Sequence, residues 1–169
     1  MNITALITQM HTHAEAIRSL AQGVSDEQAH WIPVPESWSI LEVLCHLYDE
    51  ECLDFRVRLD IILHHPEEPW PPIDPKGWVA SHQYSQRDLA QTVANFLTER
   101  QKSLAWLKGL ESPDWQASCK TPWGSMTAGD MFAAWVTHDL LHLRQLVELH
   151  YAYTTQAVHP HAVMYAGEW

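Results

Sequence analysis

Apolar residues return every three or four positions through four long segments of this chain, which is the spacing of helices with one buried face. The segments cover approximately residues 4–22, 39–64, 86–107 and 127–150. Two of them open on a capping box, formed by Ser39 with Glu42 and by Thr127 with Asp130. The pattern therefore predicts an all-α fold, a four-helix bundle.

Two irregular connections separate the predicted helices. Five prolines lie between Pro66 and Pro75, so neither a helix nor a central strand is expected to persist there. This connection runs on to about Ser85, and its length favours a crossover that leaves the second and third helices parallel. The later connection includes "WQASCKTPWGSM", which could form a small hairpin.

Length and charge narrow the possible functions. A chain of 169 residues is typical of one domain, which we expect to span residues 1–169. The net charge of -11, without a dense run of Lys or Arg, argues against a nucleic-acid partner. No apolar run approaches the roughly 20 residues that cross a bilayer, so we expect no membrane association. The cysteines, Cys45, Cys52 and Cys119, are odd in number and form no C-x-x-C pair, which favours a reducing cytoplasm.

Histidines interrupt the apolar faces of the second and fourth predicted helices. The inward face of the fourth helix consists of Met131, Trp135, His138, His142, Gln145 and Leu149. His138 and His142 are one turn apart, close enough to hold one ion. On the second helix, His46 and Glu50 interrupt the apolar stripe. If these two helices begin at the same end of the bundle, the three imidazoles lie at similar depth.

Three buried imidazoles need partners for their ring nitrogens, and a divalent metal would satisfy them together. Three neutral ligands leave a fourth position open, as in catalytic sites. The simpler alternative is that the histidines are exposed or hydrogen-bonded core residues. We expect Glu50 to orient a ligand or act as a general base, unless it forms a salt bridge with Arg100 or Arg144. Imidazole suits zinc, nickel, copper and iron, of which we expect zinc or nickel.

Tryptophan is abundant, with nine in the chain. If the metal site is open, its walls are predicted to include Trp38 and Trp135, together with Trp123 or Trp169. Large aromatic residues beside a metal can stack on a substrate, although core packing is their commoner role.

Two segments resemble a known family. The run "ESWSILEVLCHLYDEE" resembles the W-S-x-x-E-x-x-x-H-L signature of the DinB-like family, and "MTAGDMFAAWVTHDLLHLRQL" resembles its H-x-x-x-H-x-x-Q segment. The resemblance implies an up-down-down-up bundle, a divalent metal held by His46, His138 and His142, and a homodimer. Family members characterised as enzymes are similar to transferases and isomerases that use mycothiol, bacillithiol or glutathione, while other members are described as metal-dependent hydrolases.

Three functions follow as hypotheses. In the first, a metal-activated water attacks a carbonyl or carbon–halogen centre of a small-molecule substrate, and Glu50 or Asp49 accepts its proton. In the second, the open position binds a low-molecular-weight thiol as thiolate, which attacks an electrophile. The second has the better family precedent and is preferred. In the third, the protein binds metal or takes part in a stress-related interaction without turnover, and its coordination sphere is filled.

Overall fold

The computed structural model describes residues 1–167, most of which are helical. The helices are α1 (Ile3–Ala21), α2 (Asp26–His30), α3 (Ile40–Leu53), α4 (Phe55–His64), α5 (Pro75–Ser81), α6 (Leu89–Gly109) and α7 (Ala128–Ala157). Strands β1 (Ser118–Thr121) and β2 (Gly124–Thr127) form an antiparallel hairpin just before α7. The four long helical units are α1, α3 with α4, α6 and α7, so the predicted four-helix bundle is confirmed.

Two helix boundaries differ from the sequence prediction. The second predicted helix is interrupted at Asp54, whose backbone angles of φ -120° and ψ -93° lie outside the helical region. Aspartate is a poor helix-interior residue, and here its carboxylate pairs with the Arg58 guanidinium one turn further on. The last helix continues to Ala157, beyond the predicted end near residue 150, because no Gly or Pro interrupts the chain before Pro160.

The long proline-rich connection contains regular structure of its own. Helix α5 begins with Pro75, and the Asp74 side chain accepts a hydrogen bond from the Gly77 backbone N–H at 3.0 Å. A short 3₁₀ turn follows at Tyr84–Gln86, and Tyr84 is fully buried against the bundle. The connection is therefore packed against the bundle along this part of its length.

Contacts between the long helices define their directions. Helices α3 and α6 run parallel, because Cys45 lies beside Thr92 and, further along both helices, Glu51 accepts a hydrogen bond from Ser103. Helices α3 and α7 run antiparallel, because the early His46 of α3 meets His142 whereas the later Glu51 meets Trp135. The condition that the second and fourth helices begin at the same end is therefore not met, and their antiparallel course agrees with the up-down-down-up order that the family resemblance implies. The imidazoles still meet, since α7 is 30 residues long and His138 lies well inside it.

The core fills the space between the four long helices. Its largest fully buried side chains include Trp135, Tyr84, Phe96, Phe132, Met10 and Ile17. Within residues 1–167, no helix has both the length and the apolar character needed to cross a bilayer.

Candidate metal centre

The imidazoles of His46, His138 and His142 come together between α3 and α7. One ring nitrogen from each lies within 4.8 Å of the others, and Nε2 of His138 is 3.1 Å from Nε2 of His142. The ring centroid of His46 is 4.8 Å from that of His142 and 5.4 Å from that of His138. The three histidines that the sequence pattern singled out thus form one cluster.

Two aromatic rings pack against the cluster. The Trp38 ring lies 4.9 Å from the His46 ring, and the Phe55 ring lies 4.9 Å from the His138 ring. His46 is buried, whereas His138 and His142 are half-buried. The two imidazoles on α7 are therefore partly exposed to solvent, whereas the imidazole on α3 is enclosed.

Burial keeps these imidazoles neutral. Burial, with a smaller effect from the neighbouring histidines, lowers the pKa of His46 to about 3. It also lowers the pKa of His138 to about 3, and it lowers the pKa of His142, where the hydrogen bond to Gln145 works in the opposite direction. Neutral imidazoles carry the free lone pairs that a metal ion requires.

Gln145 orients one of the potential ligands. Its side-chain Oε1 lies 2.8 Å from His142 Nδ1, so that nitrogen donates the proton and Nε2 carries the lone pair. The sequence pattern assigned Gln145 to the inward helix face without giving it a role. Its position three residues after His142, about one helical turn away, is the sequence feature that could have predicted this contact.

Glu50 lies next to His46, one turn further along α3. Its Oε1 is 3.6 Å from His46 Nδ1, a buried nitrogen that has no hydrogen-bond partner among the described residues. Burial, followed by the hydrogen bond and charge of Asp54, raises the pKa of Glu50 to about 9. In the metal-free fold, Glu50 therefore favours its protonated form near neutral pH, and the neighbouring Asp54 carboxylate pairs with Arg58.

The two arginines considered as partners of Glu50 have other partners. Arg100 pairs with Glu51 and with Asp139, and Arg144 pairs with Glu148 at 3.3 Å. The alternative of a salt bridge from Glu50 to either arginine is wrong. Arg100 pairs instead with the neighbouring carboxylate, Glu51.

Asp49 lies against the crossover connection. Its Oδ2 accepts hydrogen bonds from His82 Nδ1 and from the Tyr84 hydroxyl, both at 2.7 Å, and its Oδ1 accepts one from Arg87 at 3.3 Å. The carboxylate that the sequence offered as an alternative base thus binds α5 and the turn that follows, and its polar contacts are not with the three histidines.

The tryptophans predicted to line the site have different surroundings. Trp135 is fully buried, stacks on Phe55 at 5.9 Å and donates its indole N–H to Glu51 at 2.9 Å. Trp123 lies at the hairpin tip, 66% exposed, with its ring edge-on to that of Trp70. Of the three candidates among the described residues, Trp38 is the one whose ring packs on a cluster histidine. Trp169 lies outside the described residues.

The cluster fits a divalent ion that prefers imidazole. Ligand bonds of about 2.0–2.1 Å in a tetrahedral arrangement put neighbouring nitrogens roughly 3.4 Å apart, close to the 3.1 Å between His138 and His142. Because Gln145 leaves a bare lone pair on His142 Nε2, the facing His138 nitrogen must either donate a proton or share a cation with it.

Comparison with known proteins identifies related sequences and folds. Residues 9–146 match the sequence model of the DinB superfamily. The structure resembles that of YfiT from Bacillus subtilis, described as a probable metal-dependent hydrolase with an unusual four-helix bundle topology. The two share 17% sequence identity with a TM-score of 0.77, over 87% of this chain and 85% of YfiT. The search among curated proteins found no match.

Proposed function

The chain belongs to the DinB superfamily, and on that premise we propose that it is a divalent-metal-dependent enzyme whose ion is held by His46, His138 and His142. The observation that carries the proposal is the convergence of three neutral imidazoles, with one nitrogen of each within 4.8 Å of the others. Zinc or nickel is the expected ion, because both accept imidazole ligands.

A divalent ion bound by three neutral ligands keeps its full charge, so it acts as a Lewis acid towards a nucleophile at the remaining position. The protein supplies the geometry. Gln145 fixes the tautomer of His142, and Glu50 lies beside Nδ1 of His46, so Nε2 is the ligand atom that we propose for that ring. The half-buried faces of His138 and His142 leave an approach for a small molecule.

A low-molecular-weight thiol is the nucleophile that this arrangement favours. The two carboxylates that could serve a bound water as a base are engaged elsewhere, since Glu50 lies beside Nδ1 of His46 and Asp49 accepts hydrogen bonds from the crossover. A thiol has an ordinary pKa of about 8.5, against about 15.7 for water, and therefore loses its proton near an ion with much less assistance. We infer that the thiolate sulfur forms a bond to the electrophilic carbon of a small molecule while the group displaced from that carbon leaves with its bonding electron pair, which makes the protein an S-transferase.

Hydrolysis is the second candidate. It is supported by the likeness of the fold to YfiT, which is described as a probable metal-dependent hydrolase. In this case the ion alone would have to lower the pKa of water enough for attack. A metal-binding protein without turnover is the third candidate, and it requires a fourth protein ligand that fills the sphere.

The candidates are separated by one assay. Metal-loaded protein is mixed with a chromogenic electrophile, with and without a panel of small thiols, and the initial rate is measured. A transferase turns over only with a thiol, a hydrolase turns over without one, and a non-catalytic protein does neither. His142→Ala should abolish turnover, whereas His11→Ala, an exposed histidine of α1, should leave it unchanged.

The ion is identified by elemental analysis of protein purified without a histidine tag. One equivalent of zinc or nickel in the native chain, and less than about a tenth of that in His142→Ala, is the expected result. Equal metal content in both proteins would contradict the proposed ligand set.

We further propose that the protein is a cytoplasmic homodimer. All three cysteines are free thiols, in keeping with a reducing compartment. An outward face of α7 repeats at alternating steps of four and three, the spacing of a helix–helix seam, through Ala133, Thr137, Leu140, Arg144 and Val147. Leu140 is 50% exposed and Val147 is 37% exposed, so this face has apolar area to bury against a second copy.

Light scattering tests the dimer. The native chain should have twice the mass of Leu140→Glu/Val147→Glu, since buried charge would oppose the pairing of two α7 helices. Val34→Glu adds one charge at an exposed apolar position in the loop before α3 and should leave the mass unchanged. A monomeric native chain would contradict this part of the proposal.

A further inference from the structure

The guanidinium of Arg100 on α6 is a deeply buried charge in the bundle, and the residue is 2% exposed. It donates from Nε to Glu51 at 2.6 Å, and from its two terminal nitrogens to both oxygens of Asp139 at 2.6 and 2.8 Å. A further bond at 3.2 Å reaches the backbone carbonyl of Met10. Arg100 therefore ties α1, α3 and α7 to α6 at one level.

Both carboxylates of this arginine cluster, defined as Arg100, Glu51 and Asp139, are sequence neighbours of the metal centre. Asp139 follows His138 directly, and Glu51 follows Glu50. Glu51 also accepts the indole N–H of Trp135, one turn before His138 on α7, at 2.9 Å. The cluster thus joins the two helices that carry the histidines.

We propose that Arg100 is a positioning residue that sets the register and rotation of α7 against α3, so that the histidines of the two helices meet at one point. The inference rests on the proposed function only in taking these histidines as metal ligands. A helix turns about 100° per residue, so a shift of α7 by one position would carry His138 out of reach of His46.

The geometry of a guanidinium explains why it can impose a register. Its planar fork fits the two oxygens of a carboxylate in one orientation, whereas apolar side chains such as Leu146 tolerate small sliding movements. A plain stabilising role is the weaker interpretation. Buried ion clusters are often replaced by uncharged residues of similar volume without loss of stability, because removing the charges from water is itself costly.

The test removes all three charges together, so that no buried carboxylate is left unpaired. In Glu51→Gln/Arg100→Met/Asp139→Asn, the Trp135 N–H keeps an amide acceptor. Binding of Co²⁺ to the metal-free, untagged full chain is followed by its visible absorption, which reports coordination geometry. We expect the variant to fold and to have a changed absorption spectrum. Its Co²⁺ affinity should fall about 10–100-fold, which is the loss typical when contacts that orient a metal ligand are removed.

The control is a surface ion pair on α1, outside the arginine cluster and the metal centre. Arg18 and Glu15 pair there at 2.7 Å. Arg18→Met/Glu15→Gln should leave the Co²⁺ affinity and spectrum unchanged. If the triple variant does not fold, Asp139→Asn, which retains one acceptor for Arg100, is measured in its place and should weaken binding in the same direction.

The outcomes separate this inference from the proposed function. A folded variant with native Co²⁺ affinity and spectrum overturns the positioning role. A native chain that binds no Co²⁺ overturns both proposals. A native chain that binds Co²⁺ without turning over any substrate overturns the enzymatic function alone, and the positioning role is then decided by the spectra.

Discussion

At the scale of single residues, the candidate site depends on side chains that orient other side chains. Gln145 holds the proton of His142 on Nδ1, and Glu50 lies beside Nδ1 of His46. In metal sites, such neighbours fix the tautomer and the orientation of the histidine ring that binds the ion. The candidate ligands are thus arranged before any ion arrives, which limits the reorganisation that binding requires.

Replacing Gln145 should weaken metal binding more than it weakens the fold. In Gln145→Leu, His142 loses the acceptor for its Nδ1 proton, so the ring can turn or change tautomer. We expect Co²⁺ affinity, measured by titration, to fall about 10-fold. Gln91→Leu, which removes a surface glutamine that bonds Asn95 on α6, is the control and should bind normally. Native affinity in Gln145→Leu would contradict the role assigned to this residue.

The depressed pKa of His138 predicts how the metal-free fold responds to acid. Unfolded histidine binds a proton near pH 6.5, whereas burial keeps His138 neutral in the fold until about pH 3. Between these values the unfolded state binds more protons, so the stability contributed through this residue falls as pH falls, by at most about 1.4 kcal/mol per pH unit. The raised pKa of Glu50 gives stability the opposite pH dependence, so the contribution of His138 is measured by comparing variants.

Urea unfolding in EDTA between pH 6 and pH 4.5 measures the effect. His138→Asn should lose less stability over this interval than the native chain, because it has no imidazole to protonate on unfolding. Thr137→Asn, at the exposed neighbouring position, should retain the native slope. Equal slopes in His138→Asn and the native chain would disprove the assignment.

At the scale of secondary-structure elements, helix starts are fixed locally. The Ser39 side chain accepts the Glu42 backbone N–H at 3.2 Å, while Glu42 accepts the Ser39 N–H at 2.8 Å. Thr127 and Asp130 form the same reciprocal pair at the start of α7. These boxes satisfy backbone donors that the first helical turn leaves free, so they define where the histidine-bearing helices begin.

Loss of the first box should destabilise the bundle by a modest amount. Ser39→Ala removes the acceptor for the Glu42 N–H, and we expect the free energy of unfolding to drop by about 1 kcal/mol. Chemical denaturation of the metal-free protein measures the change. Ser19→Ala, an exposed position in the last turns of α1, is the comparison and should cost less. An equal loss in the two variants would mean that the cap contributes nothing.

At the scale of the whole molecule, the metal centre connects distant parts of the chain. His46 is contributed by α3 and the other two histidines by α7, which are separated in sequence by the crossover, α6 and the hairpin. An ion held between α3 and α7 binds the folded state and has no comparable site in the unfolded chain. Metal binding should therefore stabilise the entire bundle.

Thermal unfolding should reveal this linkage. At a free metal concentration about 100 times Kd, the ion stabilises the fold by about 2.7 kcal/mol, which corresponds to a rise in Tm of about 5–10 °C over the EDTA-treated protein. Differential scanning calorimetry measures the shift. In His142→Ala the rise should shrink to less than about 2 °C. A full rise in that variant would place the ion elsewhere.

The amino-acid sequence by itself determined the helices and the residue types of the site. Helical periodicity put His138 and His142 on the inward face of α7 and His46 on the inward face of α3, and the capping boxes marked both starts. These features are local, because they depend on residues within one or two turns of each other. Spacing along a single helix is enough to reveal them.

Only the tertiary structure decided the partners of Asp49, Glu50 and Glu51. All three are buried, because α3 is enclosed by α6, α7 and the crossover, so helical periodicity could not assign each carboxylate to a neighbour. The antiparallel course of α3 and α7 was likewise set by packing. Successive residues point about 100° apart, and on a helix enclosed from several sides each direction meets a different part of the chain, which no local pattern specifies.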